Sequence, residues 1–298
     1  MPQAALPNGV DLAFEVHGDP SDPVVLVILG ITDNITDWPS GLYEPLVSNG
    51  YCVVRYELRD SGRSTKFDQC GVPDLKTAKE QLDRGVLPSA PYTAHDMAED
   101  ARLLLDHLHI RSACAVGYSF GALVAQLLAL DAPQSVSALV CLQGSNYNPA
   151  LPPRSPGVEA AMLGAARVYE TTEEKVQAMI DLRLATNGSI HALDPDEARE
   201  SAETSVSRMY YPEGTARIVL SRFATAPVHE KASDIACPAL VLHADEDPIF
   251  SLEHGEDMAA RIPNARLCVL RGAGHNHPLS LQPVISDCLL EFVSGLGK

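Results

Sequence analysis

No apolar run in this chain of 298 residues reaches the roughly 18 needed to cross a bilayer. The first residues, MPQAALPNGVDLAFEV, lack a basic stretch followed by a long apolar one, so no signal peptide is expected. Basic side chains are scarce, 22 against 39 acidic ones, for a formal net charge of −17. Such a surface repels phosphate backbones and anionic lipid, so neither nucleic acid nor membrane is an expected partner. There is no Cys-x-x-Cys pair, and seven scattered cysteines fit neither a zinc ribbon nor a disulfide framework. Cys52, Cys114, Cys141 and Cys268 fall in strand-like runs and Cys288 in a helix-like one. They are expected as small buried hydrophobes in a reducing, cytoplasmic setting. No Gly-x-Gly-x-x-Gly follows an apolar run, which counts against a dinucleotide-binding protein.

What is present is a repeated alternation. Apolar runs of strand length occur at Val24–Leu29, Cys52–Tyr56, Ala113–Val116, Ala138–Leu142, Ala239–His243 and Leu267–Leu270. They are continuous, as in parallel strands covered on both faces. Between them lie helical periodicities, clearest in Thr93–Leu108 and in the C-terminal Leu281–Leu296. The pattern predicts an α/β fold with a doubly wound, mostly parallel sheet. Two regions interrupt it. Thr65–Pro91 is a polar excursion with one short helix near Leu75–Leu82. Residues 146–236 contain helical patterns at Val158–Tyr169, Glu173–Ala185 and Asp196–Met209 and no strand-like run, which predicts an inserted helical lid. The expected division is core 1–145, lid 146–236 and core 237–298.

The informative stretch is SACAVGYSFGALVAQLLAL, where a strand-like run meets Gly-Tyr-Ser-Phe-Gly and becomes a helix-like one. A sharp strand-to-helix turn can lift one hydroxyl above a sheet edge, provided side chains two before and two after it are absent. Gly117 and Gly121 meet that condition around Ser119. A serine hydroxyl needs a base, and the base needs a carboxylate to hold its tautomer. In this arrangement the chain order is Ser, acid, His. The Gly-rich loop RGAGHNHP offers His275, with His277 as the alternative base. The strand end HADEDP offers Asp247 at the turn before Pro248, with Asp245 in reserve. The developing oxyanion needs two donors, and the N–H groups of Phe120 and Ile31 are the candidates.

The segments VVLVILG with Trp38 downstream, VVRYELRDSGRST, YTAHDMAEDARLLLDHLHI, VGYSFG, PALVLHADEDPI and GAGH resemble, in order, the α/β-hydrolase superfamily. They look most like its capped esterases, near the aclacinomycin-type methylesterases and the cofactor-free haloperoxidases. The resemblance implies a serine hydrolase with nucleophile, acid and base at Ser119, Asp247 and His275, and no cofactor or metal. Three departures stand out. Leu29-Gly30 replaces the usual His-Gly, Glu57 replaces an Asp, and Thr65–Pro91 is long. Asp33, Asn34 and Asp37 add polarity beside the first of these.

The expected substrate is a small or medium, mostly apolar ester, thioester or lactone. Trp38 and the lid residues Met162, Met179, Met209, Tyr210, Tyr211 and Phe223 are candidates for its pocket. The expected assembly is a monomer or homodimer. Non-hydrolytic lyase, isomerase or cyclase chemistry, or a ligand receptor on the same scaffold, are the alternatives. A metal site at His243, Asp245 and Asp247 with His275 and His277 competes on ligand type but leaves Gly-Tyr-Ser-Phe-Gly unexplained.

Overall fold

The computed structural model describes residues 1–296, built around an eight-stranded sheet. The strands are β1 (Gln3–Ala5), β2 (Asp11–His17), β3 (Val24–Ile28), β4 (Cys52–Tyr56), β5 (Ala113–Tyr118), β6 (Val136–Leu142), β7 (Ala239–Ala244) and β8 (Ala265–Leu270). Their order is β1-β2-β4-β3-β5-β6-β7-β8. β3 to β8 run parallel, whereas β1 and β2 pair antiparallel at one edge.

The continuous apolar runs have a simple cause. Along β3, Leu26 and Ile28 enter one core while Val25 and Val27 enter the other, on opposite faces of the pleat. The first core is roofed by α3 (Ala94–His107) and α4 (Phe120–Asp131). The second is covered by α1 (Ser40–Ser48) and α10 (Gln282–Gly295). The Thr93–Asp96 capping box starts α3, satisfying N–H groups that lack intrahelical acceptors. The remaining helices are α2 (Leu75–Asp83), α5 (Pro156–Ala165), α6 (Thr172–Ala185), α7 (Pro195–Arg208), α8 (Pro212–Phe223) and α9 (Leu252–Arg261).

All six expected strands form. The structure adds β1 and β2, which are short and half-exposed and so leave no continuous apolar run. Their signal was Asn8-Gly9, a strong hairpin dipeptide. Gly9 turns there at φ 84°. α1, α8 and α9 were also not expected. Pro45 lies inside α1, and helix-forming residues in α9 are interleaved with charge. Three cysteines, Cys52, Cys114 and Cys141, are buried, but Cys70 is exposed and Cys237, Cys268 and Cys288 are half-buried. For Cys268 the reason is topological, because β8 is an edge strand with outward-facing residues.

α5 to α8 are the insert between β6 and β7. α5, α6 and α7 share a small core of Ala165, Val176, Met179, Ile180, Leu193, Ala198 and Ala202. The insert is tied to loops that leave the carboxyl ends of the strands. Arg183 pairs with Asp37 at 2.7 Å, and Asn34 Nδ2 donates to the Ser205 carbonyl at 3.1 Å. Arg208 donates to both oxygens of Glu57, at 2.8 and 2.9 Å. Arg217 of α8 grips Asp60 through Nε and Nη2 at 2.8 and 2.9 Å, with both side chains almost wholly buried. It also donates to the carbonyl of Gly71 in the long excursion.

Removing one member of a buried ion pair strands the other charge, at a cost of about 3–5 kcal/mol. We expect Arg217→Met to lower the unfolding free energy from urea titration by an amount in that range, with a matching fall in the midpoint, and Arg217→Met/Asp60→Asn to recover much of it. Equal midpoints for wild type and Arg217→Met would show that the pair does not hold the insert.

Candidate active site

Ser119 stands between β5 and α4 with φ 55° and ψ −120°. That conformation is strained for any residue with a Cβ. Its neighbours explain how it persists. A Cβ at Gly117 would collide with the Gly121 carbonyl group, and one at Gly121 with the Ile28 carbonyl. The strand end, the helix start and the end of β3 therefore pack backbone on backbone. The Ser119 N–H donates to the Leu142 carbonyl at 2.9 Å, which fastens the turn to β6.

Three side chains meet at this turn. His275 Nε2 lies 2.9 Å from Ser119 Oγ, and His275 Nδ1 lies 2.6 Å from Asp247 Oδ2. Asp247 Oδ1 accepts the N–H groups of Ile249 and Phe250 at 2.8 and 2.9 Å. Asp247 and His275 are buried, and Ser119 keeps partial exposure. The short Asp247 contact favours a proton on Nδ1, leaving Nε2 free to accept the serine proton.

The histidine loop is held from two sides. Beneath it, Tyr118 Oη donates to the His275 carbonyl at 2.9 Å, and Gln143 Nε2 donates to the Gly274 carbonyl. Above it, the His275 N–H donates to the Thr186 carbonyl of the insert at 2.7 Å. Sequence reasoning missed Tyr118, Gln143 and Thr186, because no spacing rule links them to position 275.

Of the two donors expected for an oxyanion, Phe120 belongs to this turn and Ile31 to the loop after β3 that passes it. Phe120 opens α4, so its N–H has no acceptor one turn earlier in the helix. Ile31 follows Gly30, which passes so close to the serine that a Cβ there would stand 3.3 Å from Ser119 Cβ. The same Cβ would stand 2.5 Å from Asp33 Oδ2, which accepts the Gly30 N–H at 2.9 Å. Burial, and then the negative charge of Asp37, raise the Asp33 carboxyl to about 7.

The other expected residues are dispersed. Trp38 is fully buried in the core below the site, edge-on to His277 at 5.5 Å, and lines neither cleft beside the site. His277 packs on Tyr118 at 4.3 Å, away from the Ser119 hydroxyl that His275 holds. Asp245 accepts the Gly272 N–H at 2.7 Å and pairs with Arg271, a structural role at the loop. Met209, Tyr211 and Thr32 line two small clefts beside the site, each with about 20 Å³ of room, enough for about one water. Met179 and Tyr210 line the first of them. The Tyr210 hydroxyl donates to the Ala165 and Arg167 carbonyls. Met162 packs with Val158, Ile249 and Phe250, next to the carboxylate turn, and Phe223 is half-buried at the end of α8. Among the described residues, no group of three or more His, Cys, Asp and Glu side chains is arranged to hold a metal ion. No described helix is long and apolar enough to cross a membrane.

A family model described as the alpha/beta hydrolase fold matches residues 23–279. The chain belongs to the alpha/beta hydrolase family. Among its relatives is rhodomycin D methylesterase DnrP of Streptomyces peucetius, 30% identical with 97% of each chain covered. Another is RutD of Variovorax paradoxus, named as a carbamate hydrolase by assignment rather than as an established one, 26% identical over 95% of this chain and 96% of that one. The enol-lactonase of Burkholderia xenovorans LB400 superposes with a TM-score of 0.74 at 20% identity, covering 98% of this chain and all of that one, a likeness of fold. Within that family framework, Glu57 occupies a position where the resemblance anticipates Asp. Its longer side chain reaches Arg208 of the insert as well as the N–H groups of Arg63 and Ile35.

His277 generates a pH prediction. Burial, reinforced by the charge of His275, pushes its imidazole down to about 3 from the ordinary 6.5. Its Nε2 is buried without a hydrogen-bond partner among the described residues. The unfolded chain binds a proton there that the folded protein refuses, so folding stability falls as pH drops from about 6.5 toward about 3. The loss reaches up to about 1.4 kcal/mol per pH unit. We expect His277→Phe to flatten the dependence of the urea midpoint on pH over that window. An unchanged slope would assign the acid sensitivity to other groups.

Proposed function

We propose that this hydrolase of ester bonds works through an acyl-enzyme on Ser119, with His275 as the proton shuttle and Asp247 as its orienting carboxylate. The observation that carries this reading is the unbroken hydrogen-bond chain from Ser119 Oγ through both ring nitrogens of His275 to Asp247. Ser119 Oγ attacks the carbonyl carbon as Nε2 takes its proton, and the carbonyl π electrons move onto oxygen. The N–H groups of Phe120 and Ile31 receive that oxyanion. As the tetrahedral species collapses, the leaving alkoxide takes the proton from His275. Water then repeats the sequence, with His275 as base, and frees the acid.

The substrate class is a small or medium, mostly apolar carboxylic ester, thioester or lactone. Two facts support it. The relatives carry names of carbonyl-cleaving enzymes, and Met209, Tyr210, Tyr211, Phe250 and Ile31 supply apolar surface near the site, alongside the polar Thr32, Asn34, Asp60 and Ser61 of the clefts. In this reading α5–α8 serve as a lid. They stand over the strand ends, where two small clefts lie beside the site, and movement of the insert would widen the way in for an ester.

The test is chemical. A small sulfonyl fluoride is expected to add once to the protein by intact mass, and to add neither to Ser119→Ala nor to His275→Ala. Hydrolysis of p-nitrophenyl acetate is expected to fall at least about 10³-fold in both variants. A folded wild type that takes no adduct and leaves the ester intact would sink this reading.

A further inference from the structure

Asp33 has no place in the mechanism above, yet its half-buried carboxyl lies against Gly30, across from Ser119. A methyl group on Gly30 would touch both the Asp33 carboxyl and Ser119 Cβ, so the two groups face the same small gap. Asp33 Oδ2 accepts the Gly30 N–H at 2.9 Å, and Oδ1 has no hydrogen-bond partner among the described residues. The backbone carbonyl of Asp33 accepts from Ser61 Oγ at 2.5 Å, which pins the residue to the loop after β4. Asp37, four residues on, is satisfied differently. It pairs with Arg183 at 2.7 Å and caps the N–H of Asn34 at 2.9 Å. Arg183, whose charge also reaches Asp33, is thereby engaged by Asp37, and Asp33 is left near Ser119 with an oxygen to spare among the described residues.

We propose that Asp33 is a further catalytic residue, a neutral carboxylic acid whose Oδ1–H hydrogen-bonds the oxyanion alongside the N–H groups of Ile31 and Phe120. The inference rests on the acyl-enzyme reading of Ser119. Oδ2, which receives the Gly30 N–H, is the acceptor end, so the proton belongs on Oδ1. The proton is shared with the developing oxyanion and stays on Asp33, so the bond changes of the reaction are otherwise those already described. A carboxyl can remain protonated near neutral pH when its surroundings penalise the charged form. The groups facing Asp33 act in both directions. Desolvation and Asp37 disfavour its anion, whereas the Gly30 N–H, Arg183 of α6 and His275 of the loop after β8 favour it. Tyr118, at the end of β5, also lies within its field. On the far side of the same loop, Glu57 is neutralised by Arg208. The balance leaves the carboxyl titrating at about 7.

The sign of the pH effect follows. Below about 7 Asp33 carries its proton and donates, and above it the carboxylate opposes the oxyanion. The kcat for an activated ester is therefore expected to have an alkaline limb at about pH 7, opposite to the rise that deprotonating the base alone would give. The experiment compares wild type, Asp33→Asn and Asp33→Ala, each checked for folding by its urea midpoint. Asn keeps an acceptor for Gly30 and a donor for the oxyanion but cannot ionise. It is expected to keep most of kcat at about pH 6 and to lose the alkaline limb. Ala loses the donor, and kcat is expected to drop about 10²-fold with little change in KM.

A second readout does not depend on turnover. Carboxyl carbon NMR of the resting protein, assigned by difference from Asp33→Asn, is expected to show one aspartate titrating near neutrality. An Asp33 carboxyl already ionised at about pH 5, or an Asp33→Asn variant that retains the alkaline limb, would overturn the proposal. Failure of the acyl-enzyme reading is distinct, because wild-type Ser119 would then take no sulfonyl fluoride adduct at any pH.

Discussion

Ser119 can sit at φ 55° only because two positions beside it carry no side chain. A Cβ at Gly117 or Gly121 would occupy space already filled by the backbone of α4 or of β3. The close approach joins three segments, the end of β5, the first turn of α4 and the end of β3, into one rigid corner. In the proposed mechanism each serves the same point. The strand end supplies the serine, the helix start supplies an unclaimed N–H, and the loop after β3 supplies Gly30, Ile31 and Asp33. The strain of the turn is offset by the cores on both faces of the sheet, which hold these strands in register.

The proposed base depends on a different kind of support. His275 sits on a loop held below by Tyr118 and Gln143 and above by the Thr186 carbonyl of the inserted helices. Its position is therefore coupled to the insert. The insert in turn is fastened by Arg183–Asp37, Arg208–Glu57 and Arg217–Asp60, three ion pairs that reach loops after β3 and β4. Charges shielded from water in this way hold geometry more through the cost of separating them than through net attraction. The carboxylates of those loops and the three arginines of the insert form one polar layer between the sheet edge and the insert.

Much of this was legible in the residues. The runs VVLVI and CVVRY are unbroken because both faces of each central strand are covered. The glycines at 117 and 121 fixed the serine, and chain order with loop composition selected Asp247 and His275, which the fold brings into hydrogen-bond contact. The antiparallel edge was harder to see, since β1 has three residues and β2 is half-exposed. Trp38 shows the opposite difficulty. Its position after the β3 loop suggested a pocket, but it packs under the site against His277. An aromatic residue in sequence near a catalytic loop says nothing about the side of the sheet it enters.

What the sequence set locally comprises the strand–turn–helix serine, the order Ser119, Asp247, His275 of the three side chains that meet, and the alternation that makes a covered parallel sheet. These follow from short-range rules of sterics and periodicity, which act over a few residues. The tertiary structure alone decided which charges lose their water and which find partners. Asp33 and Asp37 are the same residue type four positions apart, yet one is paired with Arg183 from 146 residues away and the other stands beside the nucleophile with a raised carboxyl. Desolvation and long-range pairing are properties of the assembled chain, because a carboxylate in the unfolded polymer is solvated whatever its neighbours in sequence.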